Sequence, residues 1–520
     1  MSAGDLTRLG INAATRGLFA AQAALTTAGH DITNANTEGF SRQRVEQSSL
    51  HQQFPLATNS DRVFSSIGNG VEVSRVTRLR EGFLDDRFRA INLSYSEQAA
   101  VNNAVREIEG VFNEPSDSGL NATLASFFDA WHELSTHPTE SSARAAVREA
   151  GKTLARALNE TAAGLSAVRR HLDSQVAAAT DEINAHVREI AAMNAQIVAS
   201  QGSGISPNDL LDARDLALDR LSGLVQTNLS THSDGSIWVY CYGKGLVTGV
   251  HANELKTLPG TDMGLSNIAY KGELLSPEVL GGRLKGLLEV RDQIIGRSMV
   301  PDGFYLPNTP NGLAYQLDQV ASQLAEAVNE VHRAGTNLAG TSGLDFFMVD
   351  AARVTEGASL SRASITAHSI AVNDVLVEAG LPGLDLIAAG GPATTDPVTG
   401  LPVLPKPADN RSALLIAQLR DRPLIRATFP YAGGSQEFSV QDYYRNILTT
   451  LGVSGQAASR QEANQKALRE NVEAQRQAVS GVNLDEEFAN MIKHQHAYAA
   501  SARLITVFDD MMKTVVELVR

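Results

Sequence analysis

The chain has 520 residues, 43% hydrophobic and 20% charged, with 44 basic against 58 acidic side chains and a net charge of -14. That balance is ordinary for a soluble globular protein of two to four domains, and it argues against nucleic acid or an anionic membrane surface as the main partner. A single cysteine, Cys241, excludes an intrachain disulfide and a cysteine-based zinc site, and no run approaches the ~18 apolar residues of a membrane span.

The first element expected is a helix starting at Asp5 or Thr7 and ending near Thr33, where Asn34, Asn36 and Gly39 favour a turn. Ile11, Ala14, Leu18, Ala21, Leu25, Ala28 and Ile32 recur along it at alternating spacings of three and four, which lines them along one narrow coiled-coil seam. Asp5, Arg8 and Arg16 interrupt any apolar core of a cleavable secretion signal. From Phe40 to Arg78 the pattern is extended chain with a short hairpin, marked by Pro55 and Gly68-Asn69-Gly70.

A second long helix is expected over about Glu81 to Phe112, and a short one from Leu120 to Leu134 before Pro138. Residues 140–200 carry helical periodicity from Leu154 to Ile197, too long for an ordinary globular helix, so a bundle arm or a kink is expected. Another helix follows through Leu210 and Leu221. Asp234-Gly235 then marks a hairpin in a small β-domain at about 224–282. There Trp238, Tyr240 and Tyr242 alternate with Ile237, Val239 and Cys241, and the aromatic set reads as the inner face of a small sandwich. Helices return at Leu284–Ile295 and Leu313–His332. Residues 336–410 look like β-structure with long loops around Pro392–Pro407. A helix at Ser412–Arg420 and a long one from Val440 toward Val479, interrupted near Gly452, lead to the last. It carries a second seam: Leu484, Phe488, Met491, Gln495, Tyr498, Ala502 and Ile505, then Phe508, Met512, Val515 and Val519.

Tests for chemistry fail. His132-Glu133 and His137 stand five apart, about 140° around a helix, where a zinc pair needs four. His494 and His496 point to opposite sides. Gly243, Gly245 and Gly249 miss the dinucleotide fingerprint by one residue and precede no helix. Asp345, Asp350, His368, Asp374 and Asp385 have no recognisable spacing. No catalytic, cofactor-binding or metal site is assigned, and no cofactor is expected.

The seams are therefore the candidate site. Residues 1–50 carry equal numbers of acids and bases, which suits close packing among identical copies. Ala14, Ala21 and Ala28 allow close helix approach. A two-helix hairpin alone buries too little to offset its ordering entropy, so the ends are expected to order only when copies assemble.

The segment Ala14-x-x-Gly17-Leu18-x-Ala20-x-Gln22-x-x-Leu25, continuing through Asn34, Asn36, Thr37, Gly39 and Phe40, resembles the N-terminal signature of bacterial flagellar rod, hook and hook-associated proteins. Ser480-Gly481-Val482-Asn483-Leu484-Asp485, with Gln495-x-x-Tyr498-x-Ala500-x-Ala502-Arg503, is similar to their C-terminal end. Interior motifs around Asp212-x-Arg214-Asp215, Gly281-Gly282 and Asn329-x-x-His332 favour a hook–filament junction component over a hook or distal rod protein, the alternative. The remote alternative is a flagellum-associated hydrolase in 336–410.

The resemblance implies a multidomain, mainly α fold with β insertions: a terminal coiled-coil domain (1–60 with 480–520), a helical bundle domain (61–223 with 283–335 and 411–479), a small β-domain (224–282) and a β- and loop-rich insertion (336–410). It also implies self-assembly into a tube, with the hook protein, hook-associated protein 3 and a flagellar export chaperone as partners. The location implied is extracellular, at the flagellum, reached by the flagellar export apparatus without a cleavable signal.

Overall fold

A computed structural model describes the whole chain except residues 1–2, 51–69, 118, 203–205, 261–263, 297–311, 354–364, 379–380, 393, 396–401, 404–407, 428–434 and 520. Pro55, Gly68, Asn69 and most of the loop expected between Pro392 and Pro407 lie outside the described residues, as do the side chains of Val515 and Val519.

Helix α1 spans Ala3–Asn34. It stops where the Asn34 carbonyl accepts the Thr37 N–H at 2.9 Å and Asn34 Oδ1 accepts the Thr37 hydroxyl at 3.1 Å. Strands β1 (Gln43–Ser49) and β2 (Val71–Arg78) form an antiparallel hairpin, Val45 opposite Val76, that lies along α1.

The helical body begins with α2 (Gly82–Phe112) and α3 (Leu120–Thr136). Helix α4 (Ser141–Gly202) then runs unbroken for 62 residues, about 93 Å at 1.5 Å per residue. The kink left open by the sequence is absent because the stripe from Leu154 through Leu172 and Ile183 to Ile197 is buried along its whole length. Successive neighbours cover it: α2, α3, α5 (Asn208–Leu224) and the β-domain.

That β-domain contains β3 (Asn228–Thr231), β4 (Ile237–Cys241), β5 (Lys244–Thr248) and β6 (His251–Ala252) in one sheet. Strands β7 (Leu255–Pro259), β8 (Ser266–Tyr270) and β9 (Glu273–Leu274) form another. Its faces are the reverse of the sandwich expectation. Ile237, Val239 and Cys241 are buried, while Trp238 and Tyr240 are half-buried and Tyr242 is exposed. The sheet meets the flank of α4 through β5 and β6, and the aromatics pack laterally on the other face of β4. Trp238 stacks on His232 at 4.4 Å between ring centroids.

Helix α6 (Gly282–Glu289) opens on Gly281 and Gly282, both at positive φ. A Cβ on Gly282 would come within 2.8 Å of the Gly223 carbonyl, so glycine is required by both conformation and space. Helix α7 (Leu313–Ala334) meets α3 where the His332 ring lies edge-on to Trp131 at 6.1 Å, beside a buried aromatic cluster of Phe127, Phe346 and Phe347.

The insertion contains helices besides the β-structure and loops expected of it. Strands β10 (Phe347–Val349) and β11 (Ile370–Val372) pair, but two short helices, α8 (Asp374–Glu378) and α9 (Leu381–Asp385), follow. The pairs β12 (Thr394–Thr395) with β13 (Pro402–Val403), and β14 (Ile425–Ala427) with β15 (Gln436–Phe438), flank α10 (Arg411–Gln418). Leu376, Leu384 and Ile387 are buried, so burial rather than loop composition organises this stretch.

Helix α11 (Val440–Ser480) starts at Ser439, whose hydroxyl accepts the Asp442 N–H at 3.1 Å. The interruption expected at Gly452 does not occur. That glycine costs about 1 kcal/mol in an exposed helix, but Leu451, Gly455 and Ala458 are buried, with Gly455 close to Val105 of α2. Helix α12 (Leu484–Val519) completes the chain.

Candidate assembly surface

Helices α1 and α12 run antiparallel in close contact. The Phe508 ring lies over Gly10, where a Cβ would fall 2.5 Å from Cζ, and Ser501 Oγ lies 3.1 Å from a Cβ placed on Gly17. These contacts are seven residues apart on both helices, which fixes a heptad register. Continuing it sets Ala24 level with His494 and Asp31 level with Glu487. The pair is formed within one chain.

The structure divides the candidate seam residues into two sets. On α1, Ala14, Ala21 and Ala28 are buried, while Ile11, Leu18, Leu25 and Ile32 are half-buried. On α12, Met491, Ala502, Ile505, Phe508 and Met512 are half-buried, but Leu484, Phe488, Gln495 and Tyr498 are exposed. Over the first half of α12 the row facing α1 steps through Glu487, Met491, His494 and Ser501. Apolar periodicity selected Phe488 and Gln495, one residue away from that row, because it had no way to see that polar Glu487 and His494 point inward. Ile492, Leu504, Val507, Met511 and Val516, absent from the sequence reading, are also exposed, each half or more. The terminal pair thus keeps one seam for itself and leaves a second set of apolar side chains in solvent.

The family-motif residues build the turn at the foot of this pair. Asn34 Nδ2 donates to the His30 carbonyl at 3.1 Å, and the Phe40 ring meets His30 edge-on at 5.3 Å. Gly39, at φ 81°, rests on Leu216 of α5; Asn36 and Thr37 are exposed. The next residues anchor the turn: Ser41 N–H donates to Asp212 at 3.0 Å, and Arg42 N–H to the Ser480 carbonyl at 2.9 Å.

Beneath the foot lies a buried network of arginines and aspartates joining four elements. Arg78 of β2 reaches Asp212 at 2.7 Å and Asp215 at 2.9 Å on α5. Arg80 holds Asp85 at 2.8 Å and Asp215 at 3.2 Å. Arg89 of α2 holds Asp219 at 2.7 Å, and Arg476 of α11 reaches Asp219 at 2.8 Å and Asp85 at 3.2 Å. Burial alone would raise the Asp215 pKa, but Arg80, Arg78 and Arg89 together hold it below the ordinary carboxylate range. Burial outweighs Arg89 and Arg476 at Asp219, which is raised. Breaking one partner out of such a network costs about 3–5 kcal/mol, so the hairpin and the end of α11 are firmly tied to the helical body.

Among the described residues no cluster of three His, Cys, Asp or Glu side chains is placed to hold a metal ion, and no helix is long and apolar enough to cross a membrane. His137 pairs with Glu133 at 2.8 Å on the surface.

Residues 105–347 match the family model of the flagellar hook-associated protein FlgK helical domain, and residues 473–518 that of the flagellar basal body rod FlgEFG protein C-terminal region. The chain is 30% identical to flagellar hook-associated protein 1 of Bacillus subtilis, over 98% of both chains. It is 26% identical to flagellar hook-associated protein 1 of Escherichia coli, over 96% of this chain and 99% of that one. Its fold is similar to that of the flagellar hook junction protein FlgK from Burkholderia pseudomallei, with a TM-score of 0.58 at 17% identity, covering 75% of this chain and all of that one.

Proposed function

This chain belongs to the flagellar hook-associated protein 1 family, and from that premise we propose how it does the structural work of a hook–filament junction. The intrachain seam of α1 and α12 makes a stiff two-helix stalk, and the apolar side chains left exposed on that stalk bind neighbouring copies. The half-buried Ile11, Leu18, Leu25 and Ile32 on α1, by the parts still open to solvent, and the exposed Phe488, Tyr498 and C-terminal apolar residues of α12 are the contacts we assign to assembly. The observation that carries this reading is the second, unpartnered apolar set on helices already paired by a first.

The helical body and the β-domains form the outer layer, held at a fixed angle to the stalk by the arginine–aspartate network. The hook protein on one side and hook-associated protein 3 on the other are the neighbours this reading requires, with a flagellar export chaperone covering the exposed stripe of α12 before export. Its place is the flagellum outside the cell, reached through the flagellar export apparatus. No catalytic role is proposed, since the relatives are structural proteins of the flagellum.

The test is genetic and visual. Deleting the gene should leave cells with hooks but no attached filaments, and the intact gene should restore them. Filaments attached normally in the deletion strain, or a chain found along the rod or hook rather than at their boundary with the filament, would refute the proposal.

A further inference from the structure

At the foot of the terminal pair the buried acids outnumber the bases. Asp31 of α1 is fully buried and Glu487 of α12 is 4% exposed, and the heptad register sets them level on facing helices. Both Asp31 oxygens accept the Gln43 N–H, at 3.1 and 3.2 Å. Glu487 Oε1 lies 2.6 Å from Arg42 Nε, yet the two are misaligned and this buried oxygen receives no hydrogen bond. Arg42 also holds Glu486 at 2.8 Å, so one guanidinium serves the acids of α12 with little left for Asp31. His30, beside Asp31 on α1, turns to Asp209 of α5 at 3.2 Å, an acid that also accepts Gln43 Nε2 at 3.1 Å. Arg44 on β1 and Lys493 and His494 on α12 line the adjoining groove.

We propose that Asp31, facing Glu487, forms a proton-operated latch at the foot of the terminal helix pair, closed when Asp31 carries a proton and loosened when it does not. Two like charges buried on facing helices repel without solvent to screen them, and one proton relieves the repulsion. Burial, reinforced by the charge of Glu487 and opposed by the Gln43 N–H, His30 and Arg42, pushes Asp31 up to about 6. A carboxyl raised in the closed pair stabilises it fully at low pH, and that contribution is lost as pH rises through about 6. His494 acts in the opposite direction. Burial and Lys493 lower its pKa, so protonating it weakens the pair as pH falls. The latch needs only the single chain and stands whether or not the junction reading holds.

Hydrogen-exchange protection of segments 28–43 and 484–495, corrected for the intrinsic pH dependence of exchange, tests this on the monomeric full-length chain. Wild type should gain about tenfold in protection from pH 8 to pH 5. Asp31→Asn should abolish that gain, and His494→Gln should enlarge it. Glu487→Gln should be better protected than wild type at pH 8, which shows that a flat Asp31→Asn profile is not mere unfolding. A wild-type gain retained in Asp31→Asn, no improvement at pH 8 in Glu487→Gln, or no protection of wild type at either pH would each overturn the latch.

Discussion

Asn194 of α4 hydrogen-bonds both backbone groups of Ile237 in β4, accepting its N–H at 3.2 Å and donating to its carbonyl at 2.8 Å. The side-chain amide stands in for a neighbouring strand. The same amide donates to the Gly249 carbonyl at 2.7 Å and accepts from Arg214 at 3.1 Å. Asn184 treats Leu255 of β7 the same way, and Asn329 of α7 does so for Phe347 of β10. Helices thus hold strands by buried asparagine hooks. Replacing Asn194 with Leu strands these backbone groups and should cost about 2–4 kcal/mol. Hydrogen exchange should localise the loss to residues 228–252, with α1 and α12 unaffected.

Asp215 sets the acid limit of the joint beneath the stalk. Its folded pKa is lowered by the three arginines around it, so its contribution is present above the unfolded value near 4 and is lost as pH falls below it. Asp219, raised by burial, works with the opposite sign. Asp215→Asn should therefore flatten the fall in thermal stability below about pH 4 while lowering stability at pH 7. An acid limb unchanged in that variant would show that other carboxylates carry it.

His332 is fully buried, its Nδ1 bonded to the Leu344 carbonyl and its Nε2 accepting the Ala388 N–H at 2.9 Å. Burial lowers it to about 4, despite the Leu344 bond. A histidine held neutral contributes stability that disappears as pH falls from about 6.5 toward 4. His332→Leu should cost about 2–4 kcal/mol at pH 7, because two buried backbone groups lose their partners. It should also lack the wild-type decline in melting temperature between pH 6 and pH 4.

Helices were legible wherever burial follows apolar periodicity. Leu154 to Ile197 marked α4, and Ala14, Ala21 and Ala28 marked the buried face of α1. What escaped was polar burial. Asn184, Asn194 and Asn329 look like surface residues in sequence, and nothing local says that a strand edge lies opposite. For the same reason periodicity takes Phe488 and Gln495 in place of their neighbours Glu487 and His494, one residue off the row that faces α1, although Met491, Ala502, Ile505, Phe508 and Met512 are half-buried as seam residues should be. The aromatic strand failed differently: alternation at Trp238, Tyr240 and Tyr242 gives two faces but not which one meets α4.

That one-residue displacement separates two roles that periodicity merged. Met491 faces α1, whereas Phe488 is 45% exposed with no partner helix over it. A charge at position 491 enters a packed seam at a cost of several kcal/mol, so Met491→Asp should unpair the stalk within the monomer. Phe488→Asp should disturb the monomer's hydrogen-exchange pattern far less, because nearly half of that residue's surface is already exposed. In cells, however, Phe488→Asp should lose filament attachment as fully as Met491→Asp does, since the exposed ring would meet a neighbouring copy. Leu18→Asp, on the half-buried stripe of α1, should show both defects. Motile cells with normal filaments carrying Phe488→Asp would place the inter-subunit contact elsewhere on the stalk.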